Sequence, residues 1–247
     1  MMPVLPAGYS WDHRLHLGRE TAALSERVWP RFLTDAPDLP EPGLRVEITP
    51  RELAERFPVW GIRRDSTGEL VAFANAAQVT VDGKKQLPES GWQFAVRSGT
   101  AFGEKNALCL LVANVDPSAR GLGLSKALIE RAKLAGRLLG LETMVAPVRP
   151  TKKHELPAAS MEEYLKSFGA LDPWIGVHAK SGASISGVCP ESVVVRATLT
   201  KWRDWTGCQF TTSGKEIVPG ALAPVDVDVE RNLGTYREPN VWMKYSL

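Results

Sequence analysis

The feature that most constrains this chain is one contiguous stretch, residues 108–150. It holds an apolar run, a glycine turn, an amphipathic segment and a second apolar run without interruption. Residues 108–115 (LCLLVANV) are too few to cross a membrane and apolar enough for a central buried strand. Asp116, Pro117 and Ser118 end that strand, because proline cannot donate to a ladder and all three residue types favour turns. Gly121 and Gly123 then allow a tight turn with its amides exposed. From Leu124 onward Leu128, Arg131 and Ala135 share one side at helical spacing. Ala127, Ala132, Leu138 and Leu139 widen the apolar face, and Gly140 is a C-cap. Residues 141–148 read as a second strand, closed by Pro147 and Pro150. Two strands joined through a helix predict parallel neighbours in one sheet.

The chemistry of such a unit lies in its turn. The first amides of a helix lack intrahelical partners, and the helix dipole adds partial positive charge there. Arg120, Gly121, Leu122, Gly123, Leu124, Ser125 and Lys126 therefore suit a phosphate or pyrophosphate. No Lys-Ser/Thr pair follows the second glycine, so this is not a P-loop. The third glycine of a dinucleotide fingerprint is missing too.

The passage 115–128 (VDPSARGLGLSKAL) resembles motif A of the GNAT acyl-CoA N-acyltransferase superfamily, Arg/Gln-x-x-Gly-x-Gly/Ala. Arg120 and Gly123 fill its first two fixed positions, and Ser125 stands where Gly or Ala is usual. The resemblance implies a mixed α/β (α+β) fold: a largely antiparallel twisted sheet flanked by helices, splayed between strands 108–115 and 141–148. It implies that the amides of residues 120–126 hold the pyrophosphate of acetyl-CoA or another acyl-CoA. It also implies that the amides near Asn114 and Val115 meet the pantetheine arm and polarise the thioester carbonyl. An amine acceptor is the implied second substrate.

Composition bounds the rest. The 247 residues are 44% hydrophobic and 23% charged, so a sizeable core is available and disorder is not expected. A net charge of +2 with dispersed Lys and Arg argues against nucleic-acid binding as the main task. Cys109, Cys189 and Cys208 form no CxxC pair or zinc spacing, and read as reduced core thiols of a cytoplasmic protein. No apolar leader segment and no membrane span is expected, and no HxxxH, HExxH or carboxylate cluster suggests a metal. One domain is expected, with a core over about 45–200 and a C-terminal extension over about 201–247. That extension, rich in tryptophan, is expected to cap the acceptor pocket or form a homodimer contact.

Elsewhere, residues 1–10 read as a leader, 11–32 as a helix, 34–43 as a loop and 51–57 as a short helix. Residues 59–64 and 70–81 read as a hairpin, and Trp92 belongs to a short element at the site's mouth. Ser160 and Glu163 match a capping box for a helix over 160–168. Residues 175–179 and 193–199 read as strands around a Gly/Ser loop at 180–190, and residues 225–229 as an edge strand. Lys152 or Lys153 is expected either on the 3′-phosphate of coenzyme A or in a solvated loop.

Transfer from a thioester to an amine needs a deprotonated amine, oxyanion stabilisation and a proton for the thiolate. The resemblance offers Tyr164 as the proton donor, since it precedes Phe168-Gly169 in an order similar to the superfamily's tyrosine helix. That pattern's Asn and Ala fall on Pro157 and Ser160, so Tyr164 reads equally as a core aromatic with a tethered hydroxyl. The 108–115 strand carries no carboxylate. His178 is then a candidate base, set against a hydrogen-bonded core histidine. Other acyl-CoA chemistry (O-acylation, decarboxylation) and a non-catalytic acyl-CoA-binding module remain alternatives.

Overall fold

The computed structural model describes residues 1–12, 18–35, 53 and 55–247. Among them run β1 (Tyr9–Asp12), α1 (Gly18–Val28), α2 (Arg31–Thr34), β2 (Val59–Arg64), β3 (Leu70–Val79), α3 (Gly91–Thr100) and β4 (Ala107–Val115). Next come α4 (Leu124–Leu138), β5 (Thr143–Val148), α5 (Met161–Ser167), α6 (Pro173–Lys180), β6 (Ser184–Thr198) and α7 (Leu199–Thr206). The chain closes with β7 (Gly214–Glu216), β8 (Val225–Asp228) and β9 (Leu233–Ser246). The loop expected over 34–43 and the helix expected over 51–57 fall largely outside the described residues.

All nine strands belong to one mixed sheet, in the order β1-β2-β3-β4-β5-β9-β8-β7 with β6 on β9. Among the described strands only β4 and β5 pair in parallel, through Ala107↔Thr143, Leu108↔Met144 and Cys109↔Val145. The expected strand–helix–strand unit is therefore present, and the sheet around it is antiparallel. One face packs α4, α5 and α6 against Leu108, Leu110, Met144 and Tyr245. The other face packs α3 against Cys109, Val145 and Trp242. Burying these apolar side chains is the main favourable term in holding the layers together.

Four expectations change. Residues 9–12 form β1 on the edge of β2 rather than the end of a leader and the start of a helix. Asp12 anchors this strand by an ion pair to Arg63 at 2.6 Å. Residues 175–179 lie in α6 rather than a strand. The local reason is Asp172, whose Oδ1 accepts from the amides of Trp174 and Ile175, with Pro173 at the first helical position. A short apolar run does not distinguish strand from helix by period; the Asp-Pro pair does. Residues 180–190 are mostly strand, since β6 starts at Ser184. The 225–228 strand is not an edge, because it lies between β7 and β9.

The C-terminal strand is integral to the sheet. Over residues 241–246 β9 pairs with β5, and over 233–244 it pairs with β6. The segment before it, α7 to β8, adds an aromatic cluster in which Phe32, Trp202 and Tyr236 meet at ring-centroid distances of 5.3–6.4 Å. A Cβ on Gly234 would approach the Trp202 ring to 2.4 Å, so the strand carries glycine where the indole presses on it. The capping box on α5 forms as expected, with Ser160 and Glu163 exchanging side-chain bonds with each other's amides.

Candidate functional site

A split in the sheet builds the site. Pairing between β4 and β5 stops at Cys109 and Val145, while β4 continues to Val115 along β3 and β5 continues to Val148 along β9. Beyond Cys109 the β5 side of β4 has no strand partner, so backbone amides and carbonyls face the gap. The ladder between β3 and β4 also slips, from Asn75↔Val112 to Ala76↔Leu110, which leaves Leu111 bulged. Such a bulge re-aims neighbouring groups at a site. The resulting crevice encloses about 950 Å³ of space open to solvent and is bounded by both strands, α1, α3 and α6.

The glycine turn follows β4 out of the split. The Asp116 side chain accepts from the Ser118 amide at 2.9 Å and opens a 3₁₀ turn over Pro117–Ala119. Gly121 and Gly123 have φ of +79° and +78°, the left-handed region that disfavours side chains. The first bond into α4 runs from the Ala127 amide to the Gly123 carbonyl at 3.1 Å. The amides of Leu124, Ser125 and Lys126 thus have no intrahelical acceptor. A Cβ on either glycine would meet no protein atom within 4 Å, so the backbone lies open to a ligand. Arg120, Gly121, Leu122, Gly123 and Lys126 are exposed, Ser125 is half-buried and Leu124 anchors the helix in the core. These features fit the pyrophosphate cradle that the sequence implies. Gly123 and Lys126 also border a shallow hollow closed by Met1, Pro3 and Val4.

Asn114 and Val115 lie at the end of β4 beside the gap. The Asn114 side chain is committed elsewhere: Oδ1 accepts from Trp29 Nε1 at 2.7 Å, and Nδ2 donates to Ser25 Oγ at 3.1 Å. It fixes α1 over the crevice, which leaves only backbone groups at this position for a ligand. Lys153 is fully buried, with Nζ donating to the carbonyls of Leu156 and Leu222. It is a structural cation, not a phosphate contact.

The two side-chain candidates are placed very differently. Tyr164 is buried, its hydroxyl donates to Asp172 Oδ2 at 2.7 Å, and its ring stacks on Phe168. It does not line the crevice. Burial and Asp172 raise its pKa above the ordinary tyrosine value. This geometry is that of the tethered core aromatic and does not support a proton donor. His178 does reach the crevice wall. It is 1% exposed, its Nδ1 is 2.5 Å from the Tyr245 hydroxyl, and burial lowers its pKa to about 3. A ring that stays neutral far below neutrality is a weak base, so of the two readings of His178 this geometry fits the hydrogen-bonded core histidine, carried on a helix rather than a strand.

Sequence reasoning missed the opposite wall. There Arg149 Nε donates to Glu238 Oε2 at 2.9 Å, and the Tyr236 hydroxyl donates to the same oxygen at 3.1 Å. The Arg149 guanidinium lies 5.5 Å from the centre of the Trp29 ring. Asn75 on β3 and Asn240 on β9 line this wall as well. Glu238 is the crevice's carboxylate among the described residues, and it comes from the segment expected to be an extension. No local motif marks these residues, because they converge only when β9 inserts beside β5.

No family model matches the chain. Arginine N-acetyltransferase avaD of Aspergillus versicolor is 28% identical over 251 residues, covering 89% of this chain and 86% of that protein. The GNAT-like decarboxylase GphF, in complex with isobutyryl-CoA, superposes with a TM-score of 0.58 at 19% identity, covering 96% and 98% of the two chains. The loading GNATL domain of CurA from Lyngbya majuscula gives 0.59 at 17% identity, covering 96% and 97%. The two structures establish the fold: a split mixed sheet of the GNAT type. The fungal relative adds a sequence similarity that runs along most of both chains.

Proposed function

We propose that this protein is an acyl-CoA-dependent N-acyltransferase that moves an acyl group, most simply acetyl, from coenzyme A to a primary amine of a small molecule. The observation that carries the reading is the split between β4 and β5, which opens beside a glycine turn whose helix-start amides have no acceptor. The arginine N-acetyltransferase relative, matched along most of both chains, supports amine acylation and suggests the acceptor class. The turn, residues 120–126, would hold the pyrophosphate. The unpaired edge of β4 up to Asn114 and Val115 would bind the pantetheine arm and polarise the thioester carbonyl through backbone amides. The amine nitrogen then bonds to the carbonyl carbon, the carbon–sulfur bond breaks, and the amine's proton leaves for the acceptor wall or solvent.

This chain's own residues exclude water and orient the amine. Trp29, Trp92 and Trp174 wall the crevice, and Asn114 holds α1 over it. The test is release of free thiol from acetyl-CoA with a panel of primary amines that includes L-arginine, with the N-acetyl product confirmed by mass. Tight CoA binding without thiol release for any amine would overturn the reading. Thiol-independent carbon dioxide release from malonyl-CoA would replace it with decarboxylation.

A further inference from the structure

The acceptor wall holds an anomaly. Buried polar atoms in proteins nearly always have a hydrogen-bond partner, and each exception asks for a reason. Here both amide atoms of Asn75 and Oδ1 of Asn240 are buried with no partner among the described residues, in residues 1% and 3% exposed. Both line the same crevice, from opposite sides of the split. The Asn240 amide is oriented by the Pro147 carbonyl, which can only accept and lies 3.5 Å from Nδ2, with Ser192 Oγ accepting from the same nitrogen at 2.8 Å. Its Oδ1 is therefore the free atom. Glu238 uses Oε2 for both of its bonds, which leaves Oε1 unbonded among the described residues. The wall's one arginine among the described residues is already committed. Arg149 donates to Glu238 and to the Gly220 carbonyl, and its face rests on Trp29.

On this wall the free groups thus comprise three acceptor oxygens, Asn75 Oδ1, Asn240 Oδ1 and the anionic Glu238 Oε1, against one donor nitrogen, Asn75 Nδ2 with its two N–H. His178 Nε2, also buried without a partner among the described residues, faces the crevice from α6. A carboxylate or phosphate would face acceptors it cannot use. An ammonium presents three N–H groups and a guanidinium five, with no acceptor of their own, and the indoles nearby favour a cation as well. We infer that Asn75, Asn240 and Glu238 form the subsite for the cationic head of a dibasic acceptor, such as a basic amino acid or a polyamine. A second amine of that molecule is presented to the thioester. This assignment rests on the acyl-transfer reading for its geometry, yet it makes a binding claim that stands apart from turnover.

The experiment compares L-arginine with L-citrulline, which has the same shape but a neutral urea. Each is titrated calorimetrically into the CoA-loaded protein and assayed for acyl transfer. The wild type should favour arginine by at least about tenfold in both readouts, the order expected for one charge-assisted hydrogen bond. Asn75→Leu removes an orphaned group, so it should keep the fold while lowering arginine affinity about tenfold and moving citrulline less than threefold. Glu238→Gln should abolish the preference. Equal binding of the two ligands to wild type overturns the subsite, as does full preference retained in both variants. Selective arginine binding with no acylation of any amine would keep the subsite and remove the acyl-transfer reading alone.

Discussion

The glycine turn and the acceptor wall flank the same split, yet they are built from different material. The turn is contiguous, exposed and made of backbone: open amides, two glycines at positive φ, and no neighbouring atom within 4 Å of an added Cβ. The wall is discontinuous, buried and made of side chains drawn from β3, β5 and β9. Arg149 and Glu238 are 89 residues apart and only 13% and 2% exposed at the side chain. A backbone site can be lost without cost to the fold, whereas a site made of buried side chains is also part of the core. The difference predicts that ligand binding can be lost at the turn with little cost to the fold, whereas the wall's paired charges cannot be broken without a loss of stability.

Arg149→Met should give the largest effect. Breaking a buried ion pair strands the remaining charge, which costs about 3–5 kcal/mol. Urea denaturation should show that loss, and CoA affinity measured under native conditions should stay within about threefold. A variant as stable as wild type would break the comparison from the wall's side. Gly123→Val is the counterpart. Its side chain would occupy the open space over the cradle, and CoA affinity should fall about 100-fold or more, which is about 2.7 kcal/mol. Since no protein atom is near, the stability loss should be confined to the strain of a left-handed valine, about 1–2 kcal/mol. Unchanged CoA affinity by calorimetry in a folded variant would sink the cradle.

That same difference in material decides what could be read from the sequence. Residues 108–150 announce themselves because each signal is local: the apolar run, Asp-Pro-Ser, the spaced glycines and the helical period. The open glycine turn and the parallel pair follow from them, whereas the split was implied by the resemblance to motif A. The acceptor wall depends on β9 inserting beside β5, a pairing across about a hundred residues that no local pattern encodes. Glu238 and Asn240 therefore looked like part of a tail. The one legible signal was the apolar character of the last strand, where Val241, Trp242, Met243 and Tyr245 are all buried. Asp172-Pro173 was legible too, as the start of α6, and reading it would have placed Trp174 and His178 on a helix.

Tyr164 sharpens the comparison at a smaller scale, because it is a buried side chain away from the crevice. Tyr164→Phe removes one of several bonds to Asp172, which also accepts from the Lys152, Trp174 and Ile175 amides. Losing a hydrogen bond to a charged group costs about 1.5–3 kcal/mol, so the melting temperature should drop while kcat stays within about threefold of wild type. A fall in kcat of roughly 100-fold, the range of a general acid, would return the tyrosine to the reaction and remove the distinction drawn here.

His178 lies on the boundary between the two regions, a core residue that touches the crevice, and its effect is read only as a difference across pH. Burial lowers its folded pKa to about 3 from an ordinary histidine value near 6.5, so between those pH values the unfolded chain binds up to one more proton. Stability then rises with pH across that window, by at most about 1.4 kcal/mol per unit. Acidification from neutrality should begin to cost stability just below pH 6.5, and the histidine's share should level off near pH 3. Carboxylates add their own loss over part of the same range, so the useful quantity is the difference between wild type and His178→Phe. The variant keeps a ring against Trp174 and leaves the Tyr245 hydroxyl without its imidazole partner, which lowers stability equally at every pH. What should change with pH is the gap between the two proteins, narrowing from pH 7 to pH 4.5 because only the wild type loses stability through this ring. Unfolding free energies at three pH values suffice to measure it. Parallel curves would mean that the imidazole titrates alike in both states, and His178 would then be free to charge in the crevice and serve as the base its position invites.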